Sequence, residues 1–133
     1  MRKFAARTKV AASQSRNEIE ATLTKYGADS FGYANQPGRV SLGFRIKGRM
    51  VRFSITVPDQ VKQPQAYRQR WRALLLCIKA KLETVHSGIE EFDEAFMAQI
   101  VLPDGKTMGE YALPQLKDAY STGKQPPLLT FNG

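Results

Sequence analysis

Apolar residues along this chain recur with two different periods. From Pro64 to Val85, Tyr67, Trp71, Leu74, Leu75, Ile78, Leu82 and Val85 follow one another at steps of three and four. That spacing predicts one helix of about six turns with a single apolar stripe. Upstream the period is two: Val40, Leu42, Phe44 and Ile46 alternate with polar residues, and Val51, Phe53, Ile55 and Val57 do the same. A two-residue turn at Lys47 and Gly48 would pair Ile46 with Arg49, Phe44 with Val51, Leu42 with Phe53 and Val40 with Ile55, which puts both apolar sets on one face. The pattern predicts an α+β fold, a small antiparallel sheet packed on one long central helix.

Shorter elements flank these two. Ser15 with Glu18 three residues on has the form of a capping box, opening a helix that carries Ile19, Leu23 and Tyr26 and closes at Gly27. Ser30 to Ala34 reads as a short strand before an Asn35 to Gly38 turn. Beyond the long helix, Gly88 is a terminator, and Ser87 with Glu90 opens a helix from Ile89 to Ala98 with Ile89, Phe92 and Phe96 inward. Gln99 to Leu102 and Lys106 to Met108 would form a second hairpin about a Pro103-Asp104-Gly105 turn. Pro114 to Tyr120 is a last helix with Leu116 and Tyr120 inward and Gly123 as its end. This gives one domain over residues 15–125, preceded by a basic mobile arm (1–14) and followed by an extended apolar tail (126–133).

Charge changes the picture more than composition does. The net charge is +8, but residues 1–82 hold 17 Lys and Arg against 4 acids, whereas residues 83–133 hold 3 against 8. A basic half attracts polyanions at long range and gains from counterion release. On the sheet, Arg39, Arg45 and Arg52 share the polar face with Ser41, Gly43, Met50, Ser54 and Thr56, and Lys47 sits in the turn. On the long helix, Arg68, Arg72 and Lys79 line one shoulder of the stripe, with Arg70 and Lys81 on the other. The candidate nucleic-acid-binding residues are therefore Arg39, Arg45, Lys47, Arg52, Arg68, Arg70, Arg72 and Lys79. Trp71 lies amid three of these arginines but at the centre of the stripe, which assigns it to the core rather than to base stacking. The far side of the same helix, Ala73, Leu76, Cys77 and Ala80, is small and apolar and predicts a second packing partner there.

Catalytic sets are scarce. His86 is the only histidine and Cys77 the only cysteine, nine residues apart, so no zinc-ligand spacing and no intrachain disulfide is available. Cys77 reads as a small buried filler in a reducing, cytoplasmic setting, with no apolar run long enough to span a membrane. The Glu90, Glu91, Asp93 and Glu94 cluster suits the positive end of its own helix better than a cation. Asp104-Gly105-Lys106 matches the D-x-K letters of metal-dependent nucleases but also spells a tight turn. No catalytic residue, metal or cofactor is expected.

The order helix, three strands, helix from Ser15 to Val85 is also that of double-stranded RNA-binding domains, whose lysine-rich motif is missing at Gln63-Pro64-Gln65-Ala66. The phrases RQRWRALLLCIKAKLE and IVLPDGKTMGEYALPQLKDAYSTGKQPPLL resemble small uncharacterised proteins carried by phages and mobile elements. That resemblance implies DNA handling or interference with a host protein, and carries no residue role. The expected function is non-enzymatic, largely sequence-independent nucleic-acid binding, with DNA favoured over RNA. A modulator that docks on a host protein is the alternative, and a metal-dependent nuclease a distant third. Two apolar surfaces, the small helix face and the tail residues Leu128, Leu129 and Phe131, predict a homo-oligomer.

Overall fold

Strict alternation from Arg39 onward builds the hairpin it predicts. The computed structural model describes residues 2–125, with side chains from residue 12 onward. In it β1 (Ser30–Gln36), β2 (Arg39–Ile46) and β3 (Arg49–Thr56) form an antiparallel sheet in the order β1-β2-β3. Lys47 and Gly48 have φ of 51° and 76°, the left-handed pair that a tight hairpin between right-twisted strands needs. Phe44 pairs with Val51, Leu42 with Phe53 and Val40 with Ile55, the expected register. β1 runs two residues further than Ala34, leaving Pro37 and Gly38 as its turn.

The long stripe is α2 (Pro64–His86), which buries Tyr67, Trp71, Leu74, Leu75, Ile78 and Leu82. It ends as expected at Gly88, where the Gly88 and Ile89 amides return to the carbonyls of Val85 and Thr84. Its companion α1 (Arg2–Lys25) is as long, 24 residues against 23, so α2 is not the one long helix of the fold. The helix start expected at Ser15 is corrected: residues 2–14, expected as an arm, are its first turns, and Ser15 is buried in mid-helix. Ala12, Ser15, Ile19 and Leu23 are all buried at steps of three and four, so the same apolar stripe that defines the later turns continues through Ser15. Together α1 and α2 bury the face of Val40, Leu42, Phe44, Val51 and Phe53.

Past α2 the chain departs further from its pattern. The single helix expected over Ile89 to Ala98 is instead α3 (Phe92–Ala95) followed by a 3-10 turn (Met97–Gln99). The Glu91 amide, not a Ser87 cap, is bonded by the carboxylate three residues on, Glu94, at 2.9 Å. Phe92 opens α3 and Phe96 caps its end, so both rings turn inward, 4.7 Å apart and Phe96 edge-on to Phe44 at 5.9 Å, while Ile89, ahead of the helix, is left 76% exposed rather than inward. The expected second hairpin reduces to one isolated bridge, Val101 with Thr107, and its first arm makes a second bridge, from Ile100 to Val51 of β3.

Last comes α4 (Met108–Thr122), six residues longer at its start than expected, because Thr107 and Glu110 cap each other's backbone there. Pro114 therefore lies inside the helix rather than in its first turn, where it removes one internal hydrogen bond. α4 touches the body at its first turn, where Gly109 crosses so close that a Cβ would stand 2.8 Å from the Ala98 carbonyl oxygen. Beyond that crossing nothing covers it among the described residues, and Leu116 and Tyr120, expected inward, are 51% and 84% exposed. Gly123 ends it in a left-handed conformation, as expected. The apolar tail 126–133 lies outside the described residues.

Candidate nucleic-acid interface

Because the two long helices share one side of the sheet, the other side is left open. Cross-strand register orders that outer face into rows: Gln36–Arg39–Thr56, Ala34–Ser41–Ser54, Gly32–Gly43–Arg52 and Ser30–Arg45–Met50. Its middle is low and small, made of Gly32, Ala34, Ser41, Gly43 and Ser54, with the Ser41 and Ser54 hydroxyls 3.3 Å apart. Among the described residues no helix packs on it, and only Glu110 of α4 reaches its corner. Three guanidiniums stand around the low centre, those of Arg39, Arg45 and Arg52. A flat, hydroxyl-bearing surface with planar bidentate donors on it can contact phosphate oxygens. It carries no aromatic ring, so it offers nothing for bases to stack on.

Ion pairs modulate these cations. Arg45 donates to Asp29 at 2.9 Å, and Arg52 to Glu110 at 2.8 Å. All four groups stay at least one third exposed, so the pairs are weak and open to exchange for a phosphate. The Asp29 carboxylate raises the pKa of the Arg45 guanidinium, which stays charged throughout. Glu110 is held below the usual carboxylate range, first by the Thr107 amide and then by Arg52. The Arg39 side chain makes no ion pair or hydrogen bond among the described residues. Lys47 is exposed in the β2–β3 turn, at the end of the face rather than on it.

The helix cations lie elsewhere. Arg68, Arg72 and Lys79 belong to the helical layer, which the sheet separates from the outer face; Lys79 pairs with Glu18 of α1, and Arg72 adds to the field that lowers the Glu18 pKa. Arg70, on the other shoulder, donates from Nε and Nη2 to the Thr56 carbonyl at 3.0 and 2.8 Å, fastening α2 to the end of β3. There it joins Arg39 and Arg52 at the rim of a groove of about 520 Å³. The eight candidates thus form two groups, one on the outer face and its β3 edge, the other along α1 and α2.

Other side chains were not singled out by the pattern. Arg49 makes a two-point bond to Asp93, both contacts at 2.9 Å, tying the acidic segment to β3. Arg16 lies over both Tyr33 and Trp71, its Cζ 5.0 and 5.2 Å from the two ring centres. Trp71 itself is fully buried, with its Nε1 unpartnered among the described residues, which makes it core. Cys77, expected as a buried filler, is exposed, as are Ala73, Leu76 and Ala80, because no described element covers the far side of α2. Asp104 accepts from the Lys106 amide at 3.0 Å and from the Tyr111 hydroxyl, so the D-x-K letters serve the turn. Among the described residues no group of His, Cys, Asp and Glu could hold a metal ion, and no helix is long and apolar enough to cross a membrane. No protein-family model matches this sequence, and no curated protein or solved structure matches the chain.

Proposed function

We propose that the protein binds nucleic acid, DNA in preference to RNA, through the outer face of its sheet and without regard to sequence. The observation that carries this reading is the uncovered platform of Gly32, Ala34, Ser41, Gly43 and Ser54 ringed by Arg39, Arg45 and Arg52. Small centres let a sugar-phosphate backbone approach, and the guanidiniums supply charge-assisted donors around it. The absence of rings and of a protruding reading element on this face favours backbone contact over base contact. Arg68, Arg72 and Lys79 form a second strip on the helical layer that a long polyanion reaches only by wrapping.

Retention of labelled oligonucleotides across a salt series tests the reading. Wild-type protein binds at low salt and weakens steeply as salt rises. The Arg39→Ala/Arg45→Ala/Arg52→Ala variant loses up to about 2.7 from the slope of log affinity against log salt on duplex DNA, at about 0.9 per phosphate contact. No retention of the wild type at low salt would falsify the proposal.

A second reading is a protein-binding module, its partner a host protein or a second copy of the chain. It is favoured by α4, where Leu113, Leu116 and Tyr120 share one exposed side, 51%, 51% and 84% accessible. Light scattering at micromolar concentration separates its two partners, since only self-association raises the mass of the pure protein.

A further inference from the structure

The groove at the β3 edge has features that the outer face does not use. One wall is the small side of α2, with Ala73 and Cys77; Phe53 and Ile55 line it from β3, and Leu113 from α4. Along it runs an unpaired strand edge. In a strand, alternate residues turn both backbone groups to opposite sides. The Met50 carbonyl accepts the Val101 amide at 2.8 Å, and the Thr56 carbonyl accepts Arg70, while the Val57 amide turns the other way to Gly38 at 3.0 Å. Ser54, between Met50 and Thr56 in the same phase, therefore points its N–H and C=O away from β2. The only described segment that bridges this edge stops at Val51, opposite Ile100. Gln99 Oε1, which also belongs to the groove lining, is buried without a hydrogen-bond partner among the described residues. An apolar wall, free strand groups and an orphaned acceptor together fit an added strand better than a small molecule.

We propose that residues 128–131 of the same chain, Leu-Leu-Thr-Phe, add to the edge of β3 as a fourth strand. Reach permits it. α4 leaves the groove at Leu113 and ends at Thr122, roughly 14 Å away at 1.5 Å per residue. Gly123 breaks the helix, and the five residues from there to Leu128 span up to roughly 17 Å when extended. Alternation then sets Leu129 and Phe131 on one side, toward Ala73 and Cys77, with Leu128 and Thr130 on the other. Tethering favours this segment over a strand from a second molecule, because a short linker holds its effective concentration in the millimolar range. Docking covers the small side of α2 that the described residues leave bare. Arg39 and Arg52 stay on the opposite face of the enlarged sheet.

Cys77, the sole cysteine and a groove residue, reports occupancy in the full-length chain. Its reaction with a thiol reagent is at least about tenfold slower in the wild type than in the Leu129→Asp/Phe131→Asp variant, matching a docked-to-free ratio of about ten. Mild oxidation of Phe131→Cys or Leu129→Cys links the new thiol to Cys77 within one chain, leaving a monomer on a non-reducing gel. Equal reaction rates in the wild type and the double variant overturn the proposal. So does a disulfide found only between two chains, which gives the edge to a second copy.

Discussion

Replacing Gly32 and Gly43 together by alanine moves stability and binding in opposite directions. The two residues face each other across β1 and β2 in the row that leads to Arg52. A Cβ at Gly32 would meet nothing within 4 Å, and one at Gly43 would approach only the Val51 carbonyl oxygen, at an ordinary 3.6 Å. Neither has a left-handed φ, so alanine fits both backbones. The fold itself does not require glycine at these positions. Each change restricts the unfolded chain and stabilises by about 0.4–1 kcal/mol, or about 1–2 kcal/mol for the pair. For a chain of this size that raises Tm by roughly 3 to 8 °C. Two methyl groups at the low centre of the outer face would meanwhile hold a polyanion off the donors of Arg45 and Arg52. Binding of a labelled oligonucleotide at low salt, read by anisotropy, should weaken about tenfold, which is about 1.4 kcal/mol. A variant that melts higher and binds as the wild type does would remove this face from the interface. One that melts lower would show that the space over the glycines is not free.

Three further outcomes follow from the packing and the ion pairs. Trp71→Ala removes a fully buried indole and should cost about 3–5 kcal/mol in urea unfolding; a loss below about 1 kcal/mol would contradict its place in the core. Gly109→Ala drives a methyl to 2.8 Å from the Ala98 carbonyl, so α4 should loosen, with faster amide exchange from Met108 to Thr122 and a loss of about 1–3 kcal/mol; unchanged exchange would mean the crossing relaxes freely. Asp93, through Arg49, and Glu110, through the Thr107 amide and Arg52, have folded pKa values below their unfolded ones. Their contribution is complete above the ordinary carboxylate range near about 4 and is lost as pH falls through the lower folded values. Thermal stability should therefore drop from pH 5 toward pH 2, and less so in Asp93→Asn/Glu110→Gln; parallel profiles would refute the assignment.

Where a local period decided the outcome, the sequence was legible. A one-residue slip between β2 and β3 would have turned Phe44 and Leu42 to solvent, so the alternation permitted a single register, and the stripe from Tyr67 to Leu82 left one face of α2 to bury. Local letters misled where distant packing decided. Ser15 and Glu18 spell a cap, but Ser15 is buried with Ala12, Ile19 and Leu23 on a stripe that starts earlier in the same helix. Ile89 fits a helical face with Phe92 and Phe96 only if the helix starts at Ile89, and the reciprocal cap of Glu91 and Glu94 starts it at Phe92 instead. The cations were visible and their partners were not. Arg49 and Asp93 are 44 residues apart and Arg52 and Glu110 58, separations at which no local pattern marks who meets whom. The open platform had a signal in the glycines and serines at alternate strand positions, a run of residues that contribute nothing to a core.

The order of the elements has a consequence during synthesis. The three strands precede α2 in the chain, and the apolar face of Leu42, Phe44, Val51 and Phe53 has α2 as a principal cover. Thirty residues separate Thr56 from His86, so at ribosomal rates of about 5–20 residues per second the nascent sheet waits roughly 1.5 to 6 s for that helix. Throughout that interval the emerging chain carries a strong net positive charge, since 8 of its 12 acids lie after residue 82. Like charge keeps neighbouring nascent chains apart while their hydrophobic faces are bare, so the lopsided charge also acts as a safeguard against co-translational aggregation.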